Sequence, residues 1–241
     1  MRRYFVKIAG KRVLVTGGAV RVGAGLVRAF AEAGADVLIH CRNSRAQAEA
    51  LAASLPNPSR HRVLAADLAL PGEAERLFRQ AGRVDILVNN ASLFRLKELA
   101  DSDEMSDRAH FEVNFWSPLT LMKLFARQGL SEGAVINLLD QEVLQASPHG
   151  GAYSLSRRAL AEATLELARE LGPRNLRFNA VAPGPVLPPV GMEDSRMVKT
   201  LPTVPLRRKV ELDDLARAVL FLASNDSITG AILNVDGGQH L

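Results

Sequence analysis

Residues Val13 to Gly25 read VLVTGGAVRVGAG. Val13, Leu14 and Val15 form a short apolar run of the kind that fills a buried strand. Thr16-Gly17-Gly18 breaks the run, and after Arg21, Val22 and Gly23 the apolar residues Leu26, Val27 and Phe30 recur at helical spacing. Strand, glycine turn and helix together present free backbone N–H groups and a helix N-terminus, the geometry that receives a phosphate. Gly17 and Gly23 carry no Cβ, so a pyrophosphate can approach the backbone closely. Glycine-rich turns also end ordinary strands, so this one gains its meaning from what surrounds it.

Outward from the turn, strands and helices alternate to the end of the chain. Further strands are expected at Asp36–His40, Arg62–Ala66, Val84–Val88, Ala134–Leu139, Leu176–Val181 and Ala231–Val235. Between them lie helical patterns: one through Leu51, one opened by Pro71-Gly72 and running to Phe78, and one long helix over most of Asp103–Gln128. Two more follow at Ala152–Leu171, stopped by Gly172-Pro173, and at Glu211–Ala223. Residues Val186 to Val210 are irregular and rich in proline, with a short helix around Asp194–Leu201, and shape a substrate mouth. This order predicts an α/β fold: one Rossmann-type, doubly wound parallel sheet of about seven strands with helices on both faces, in a single domain over residues 1–241.

Composition narrows the function. The 241 residues are 47% hydrophobic, ample for one core, and 30 Lys+Arg against 26 Asp+Glu leave a net charge of only +4. Basic residues are not interleaved with aromatics, which disfavours nucleic acid. The single cysteine, Cys41, excludes an intrachain disulfide and a thiolate zinc site, and it reads as a small buried residue. The five histidines have no ligand spacing, so no metal is expected. The N-terminus lacks an apolar core and is not read as a signal peptide. No apolar run approaches the ~18 residues of a membrane span, so a cytoplasmic protein with no membrane partner is expected.

Ligands of such sheets lie beyond the carboxyl ends of the strands. Those ends carry Gly17, Arg42, Asp67, Asn89, Asp140 and Pro183-Gly184, which should converge on one crevice. The end of the second strand is where a dinucleotide fold meets the adenine ribose. Arg42 with Ser44 and no acid there favours the 2′-phosphate of NADP over the bare hydroxyl of NAD, although Arg42 also reads as a solvated strand end. Tyr153 and Arg157 stand one helical turn apart, so a cation near the phenol would favour the phenolate and lower its pKa. Spacing alone reads this pair as ordinary exposed residues on an amphipathic helix. Asn114, among Phe111, Val113, Phe115 and Trp116, is either a satisfied core amide or a residue that bends its helix.

TGGAVRVG (Thr16–Gly23), ADL (Ala66–Leu68), NNAS (Asn89–Ser92), Asn114, YSLSR (Tyr153–Arg157), APG (Ala182–Gly184) and DGG (Asp236–Gly238) together resemble the short-chain dehydrogenase/reductase family over nearly the whole chain. The resemblance implies a nicotinamide-dependent oxidoreductase, usually a homotetramer. Thr16, Gly17 and Gly23 would hold the pyrophosphate, with Arg21 and Val22 beside them. Asp67 and Leu68 would meet the adenine, Asn89, Asn90 and Ala91 would line the cofactor, and Pro183, Gly184 and Val186 would complete its seat. Tyr153 would donate the proton, with Asn114 and Arg157 in the catalytic set. Arg21, the Ser92-Leu93-Phe94 run and Asp140 resemble one branch, the pteridine reductases. There the arginine reaches phosphates and substrate, the phenylalanine stacks on the pterin and the aspartate supports the tyrosine; Ser92 and Pro185 would also touch substrate. His40-Cys41-Arg42-Asn43-Ser44 resembles the NADP-selecting segment of that branch.

One residue departs from the family pattern: Arg157 stands where the family has lysine. It keeps the charge in a longer, planar group that cannot give up its proton. The sequence therefore points first to an NADPH-dependent pterin reductase, next to a carbonyl reductase of the 3-oxoacyl type, and third, on Arg157 alone, to an NADP-binding sensor or assembly protein. On the charge argument, Arg42→Ala should weaken NADPH about tenfold or more, the loss of roughly 1.5–3 kcal/mol of charge-assisted bonding, and leave NADH nearly unchanged. Dissociation constants for both cofactors, in wild type and variant, check this.

Overall fold

The computed structural model describes residues 8–144, 150–188 and 195–241. Its strands are β1 (Arg12–Val15), β2 (Asp36–Cys41), β3 (Arg62–Ala65), β4 (Ile86–Asn89), β5 (Gly133–Leu138), β6 (Leu176–Pro183) and β7 (Ile232–Val235). Its helices are α1 (Arg21–Glu32), α2 (Arg45–Ser54), α3 (Glu73–Ala81), α4 (Glu104–Phe111), α5 (Ser117–Ala126), α6 (Gly151–Leu171), α7 (Ser195–Thr200) and α8 (Leu212–Ser224). All seven strands join one sheet in the order β3-β2-β1-β4-β5-β6-β7, and every neighbouring pair is parallel. Seven strands, all parallel and wound both ways from β1, are what the sequence predicts.

Alternation along each strand decides which layer it feeds, because successive side chains point to opposite faces. Val13, Val15, Val37, Ile39, Ile86 and Val88 pack with Leu26, Val27 and Phe30 of α1 and Leu215 and Val219 of α8. Leu14, Leu38, Leu87 and Val135 point the other way, onto Leu77 of α3, Phe125 of α5 and Leu160 of α6. The strand order reverses between β1 and β4, and a crevice opens beyond the carboxyl ends at such a reversal.

Two elements differ from expectation. The long helix expected over Asp103–Gln128 is broken into α4 and α5 by a π turn at Glu112–Trp116. Asn114 explains the break. It is wholly buried in that turn, and its side chain is spent outside the helix. The Leu93 N–H donates to its Oδ1 at 2.8 Å, and its Nδ2 donates to the Leu93 carbonyl at 3.0 Å and to Ser156 Oγ at 3.2 Å. The wider turn carries the amide to the loop after β4, and Pro118 sits at the restart of α5, where a missing N–H is tolerated. β6 runs to Pro183 rather than Val181, because Ala182 and Pro183 still pair with Asn234 and Val235. Among the described residues no helix is long and apolar enough to cross a membrane.

His40 fixes the end of β2 to the glycine turn. The Gly17 N–H donates to its Nδ1 at 3.0 Å, so the proton sits on Nε2, which donates to the Ala66 carbonyl at 3.0 Å. The ring is 2% exposed, and burial pushes its pKa below the usual histidine value. A proton on Nδ1 would break the Gly17 bond. Because the unfolded chain holds that proton more tightly, this contribution is complete above about pH 6.5 and is lost as pH falls below it. Thermal midpoints measured from pH 7 to 5 should fall in wild type by up to about 3–5 °C per pH unit more than in His40→Gln. Parallel slopes in the two proteins would show that His40 does not titrate on unfolding.

Candidate active site

β1 and β4 end side by side, and Thr16 and Asn90 tie their ends together. The amides of Asn90 and Ala91 donate to Thr16 Oγ1 at 2.9 and 3.0 Å, and Asn90 Nδ2 donates to the carbonyls of Thr16 and Gly17 at 2.9 and 3.1 Å. α1 follows so closely that a Cβ on Gly23 would fall 2.0 Å from the Gly17 carbonyl oxygen. The helix starts without a side-chain cap: Val20 occupies the cap position and no acid lies in the first turn. The amides of Arg21, Val22 and Gly23 have no carbonyl partner among the described residues. Three unspent donors at the positive end of a helix dipole fit a pyrophosphate. Arg21 is in the left-handed region (φ 55), and its Nη2 donates to the Pro188 carbonyl at 2.6 Å, bridging the turn to the segment after β6.

The loop after β4 carries Ser92, Leu93 and Phe94. Asn114 grips it at Leu93, and Gly151 seats it on α6. Gly151 has φ +49, and a Cβ there would fall 2.1 Å from the Lys97 carbonyl oxygen, so only glycine lets the loop lie this close. Phe94 thereby meets the Tyr153 ring edge-on, with centroids 4.7 Å apart. Tyr153 is 4% exposed, and its hydroxyl donates to Asp140 Oδ2 at 2.8 Å. Arg157 is 3% exposed, with its guanidinium carbon 5.7 Å from the phenol ring centroid. Its Nη1 donates to the carbonyl of Leu138, the last residue of β5, at 3.0 Å.

These positions correct two expectations. Tyr153 and Arg157 are not an exposed pair: the face of α6 that carries them is packed on the sheet. The net shift of the phenol is also the reverse of the one the cation alone would give. Burial, and then the Asp140 carboxylate, push the Tyr153 pKa above the ordinary phenol value, and the opposing pull of Arg157 is smaller. The hydroxyl is therefore held protonated.

A cleft of about 1020 Å³ joins these groups. Gly17, Arg21, Val22 and Gly23 form one wall with Asn90 and Ala91; Ser92 and Phe94 stand beside Asp140, Tyr153 and Arg157; and Pro183, Gly184, Pro185 and Val186 form the facing wall. Other candidates lie off its lining. Arg42 and Asn43 are exposed past the end of β2, and Ser44 precedes α2. Asp67 Oδ1 accepts from the Ala69 N–H at 3.1 Å, and Leu68 is buried. Asn89 turns inward, its Nδ2 donating to Asn137 Oδ1 at 2.8 Å, and Asn137 in turn donates to Thr164 at 2.8 Å. Asn114 supports the site through Leu93 without lining the cleft. Sequence reasoning missed Gly151 and His40 as site-building residues. The Gly150-Gly151 doublet just before Tyr153 was the available signal for the first.

Fold and cleft together define a Rossmann-type oxidoreductase. A sequence model of the family described as Enoyl-(Acyl carrier protein) reductase matches residues 18–240, and the chain belongs to the short-chain dehydrogenase/reductase family. Human L-xylulose reductase is 34% identical over 241 residues, covering 96% of this chain and 97% of its own. The 3-oxoacyl-[acyl-carrier-protein] reductase FabG of Chlamydia muridarum is 30% identical over 244 residues, covering 96% and 98%. The crystal structure of FolM alternative dihydrofolate reductase 1 from Brucella canis, complexed with NADP, is 37% identical with a TM-score of 0.89, covering 97% of this chain and 95% of that one.

The chain has only two tyrosines, Tyr4 and Tyr153, so the phenol can be followed directly. Absorbance at 295 nm should register ionisation of no more than one phenol below about pH 11. Asp140→Asn, which removes a charge that raises the phenol pKa, should bring the second ionisation to lower pH. A second phenolate appearing near pH 10 in wild type would contradict the geometry.

Proposed function

We propose that this protein is an NADPH-dependent reductase of a pterin-type ring, acting on a ring C=N bond. The observation that carries the reading is the Tyr153 hydroxyl on Asp140 at 2.8 Å with Phe94 against the same phenol. The nicotinamide, when bound, supplies the hydride. Reducing C=N also consumes a proton at the ring nitrogen, and Tyr153 holds one at Oη. Asp140 is half-buried, so it links that hydroxyl to the open cleft and exchanges protons with water. Its carboxylate also pairs with the N–H donors of a pterin, and Phe94 offers an aromatic face to the electron-poor bicycle. Arg157 lies over the phenol ring and would offer charge to the ribose side of the cofactor seat. Likeness to the NADP-bound Brucella protein at 37% identity supports both the cofactor and the pterin. A homotetramer and a cytoplasmic setting belong to the same proposal.

The names of the L-xylulose and 3-oxoacyl relatives favour a second reading, carbonyl reduction, with Tyr153 protonating an alkoxide. NADPH oxidation with dihydrobiopterin, dihydrofolate, L-xylulose and an acetoacetyl thioester in turn decides between them. Turnover of the pterins over the carbonyls is expected. Carbonyl turnover alone replaces the pterin reading, and NADPH binding without any turnover leaves the sensor reading. On the preferred substrate, Tyr153→Phe should cut turnover roughly 10²–10⁴-fold. Phe94→Ala should weaken pterin binding by roughly 0.5–1.5 kcal/mol beyond lost burial. Arg157→Ala should cut turnover strongly, and Arg157→Lys should keep or raise it.

A further inference from the structure

We infer that the mouth of this cleft is a subsite for an anionic tail on the substrate, read by Arg95 and Lys199. The inference rests on the pterin reading and names what the substrate carries beyond its ring. Arg95 follows Phe94 by one Cα step of about 3.8 Å, so a substituent leaving a ring seated beside Phe94 meets it. Lys199 comes from another element, α7, whose Met197 and Thr200 line the same cleft. Both cations are exposed, and neither makes a hydrogen bond or an ion pair among the described residues. Neighbouring lysines behave differently: Lys97 pairs with Asp103 at 3.7 Å and Lys209 with Glu211 at 3.5 Å.

The described lining contains one carboxylate, Asp140, and it lies deep against the Tyr153 hydroxyl. The other cations of the lining, Arg21 and Arg157, donate to the Pro188 and Leu138 carbonyls, and Gln141, Thr203 and Gln239 are neutral. Two cations with no ion pair among the described residues, in a concave mouth, focus a positive potential outward. A dicarboxylate such as the glutamyl tail of a folate matches that potential in sign and in number of charges. The short neutral side chain of a biopterin gives it nothing to pair with.

The test compares kcat/KM for dihydrofolate and dihydrobiopterin, with NADPH, in wild type and in the double variant Arg95→Gln/Lys199→Gln. At low ionic strength the preference for dihydrofolate should fall about tenfold in the variant, through KM. In wild type it should shrink as salt rises, because exposed charges are screened. Each single variant should lose about threefold, and Arg95→Lys/Lys199→Arg should retain the preference. An unchanged ratio in the double variant overturns the inference. A second measurement separates it from the pterin reading: calorimetric binding of p-aminobenzoyl-triglutamate, which has a tail and no pteridine, to the NADPH complex. Binding lost in the double variant upholds the tail subsite even if no pterin is reduced, and no binding in wild type overturns it. A double variant that loses acetoacetyl-acyl carrier protein reduction while its folate preference stands assigns the cations to an acidic carrier protein and also overturns it.

Discussion

Everything at the cleft depends on the interlock between Thr16 and Asn90. One hydroxyl accepts two amides of the β4 end, and one carboxamide closes over two carbonyls of the glycine turn. Each bond contributes only about 1 kcal/mol net, but losing one leaves a half-buried backbone group unsatisfied at the point where the sheet reverses order. With the interlock in place, two loops have fixed positions. The turn after β1 leads into three helix-start amides with no carbonyl partner among the described residues, and the loop after β4 carries Phe94 toward α6. His40 adds a third tie from β2, which leaves the turn held by its neighbours on both sides.

The chemistry then follows from where α6 lies. Its buried face presses Tyr153 and Arg157 against the end of β5, and low exposure there has two consequences. It strengthens the hydrogen bond from the phenol to Asp140, and it makes the phenolate expensive. A tyrosine in water is a poor acid because it rarely gives up a proton. In this pocket the proton is held on Oη, and in the proposed reaction its release would wait on a substrate atom that develops negative charge beside it. On that proposal, the same burial that raises the pKa would tie proton delivery to the arrival of a base. This differs from an arrangement in which the cation dominates and the phenolate forms first.

Much of this was legible in the sequence, because the signals were local. The apolar strands announce themselves by composition, the glycine turn by spacing, and Tyr153, Asp140 and Phe94 by the motifs they sit in. What was not legible was set by contacts between distant segments. The π turn at Asn114 reads as continuous helix, because only the loop at Leu93 gives its side chain a reason to leave the core. The direction of the Tyr153 shift could not be read from a cation four residues away, since the burial and the carboxylate that outweigh it come from the packing of α6 and the segment after β5. Gly151 has no meaning until the Lys97 carbonyl is placed against it.

Arg157 gives this balance its final step. A buried lysine can relieve its own desolvation by losing a proton, but a guanidinium cannot, so its charge must be met by the protein. One donor is met by the Leu138 carbonyl, while Nε is sealed and makes no hydrogen bond. That sealed donor costs about 1–3 kcal/mol. A compensating charge meets the same phenol: the half-buried Asp140 accepts from its hydroxyl at 2.8 Å, while Arg157 lies over its ring at 5.7 Å. A neutral residue at position 140 would leave the guanidinium facing an uncharged phenol, which would then be drawn toward its ionised form. Position 140 and position 157 are therefore read together: the carboxylate that, after burial, helps keep Tyr153 protonated is also a charge that offsets the arginine beside it.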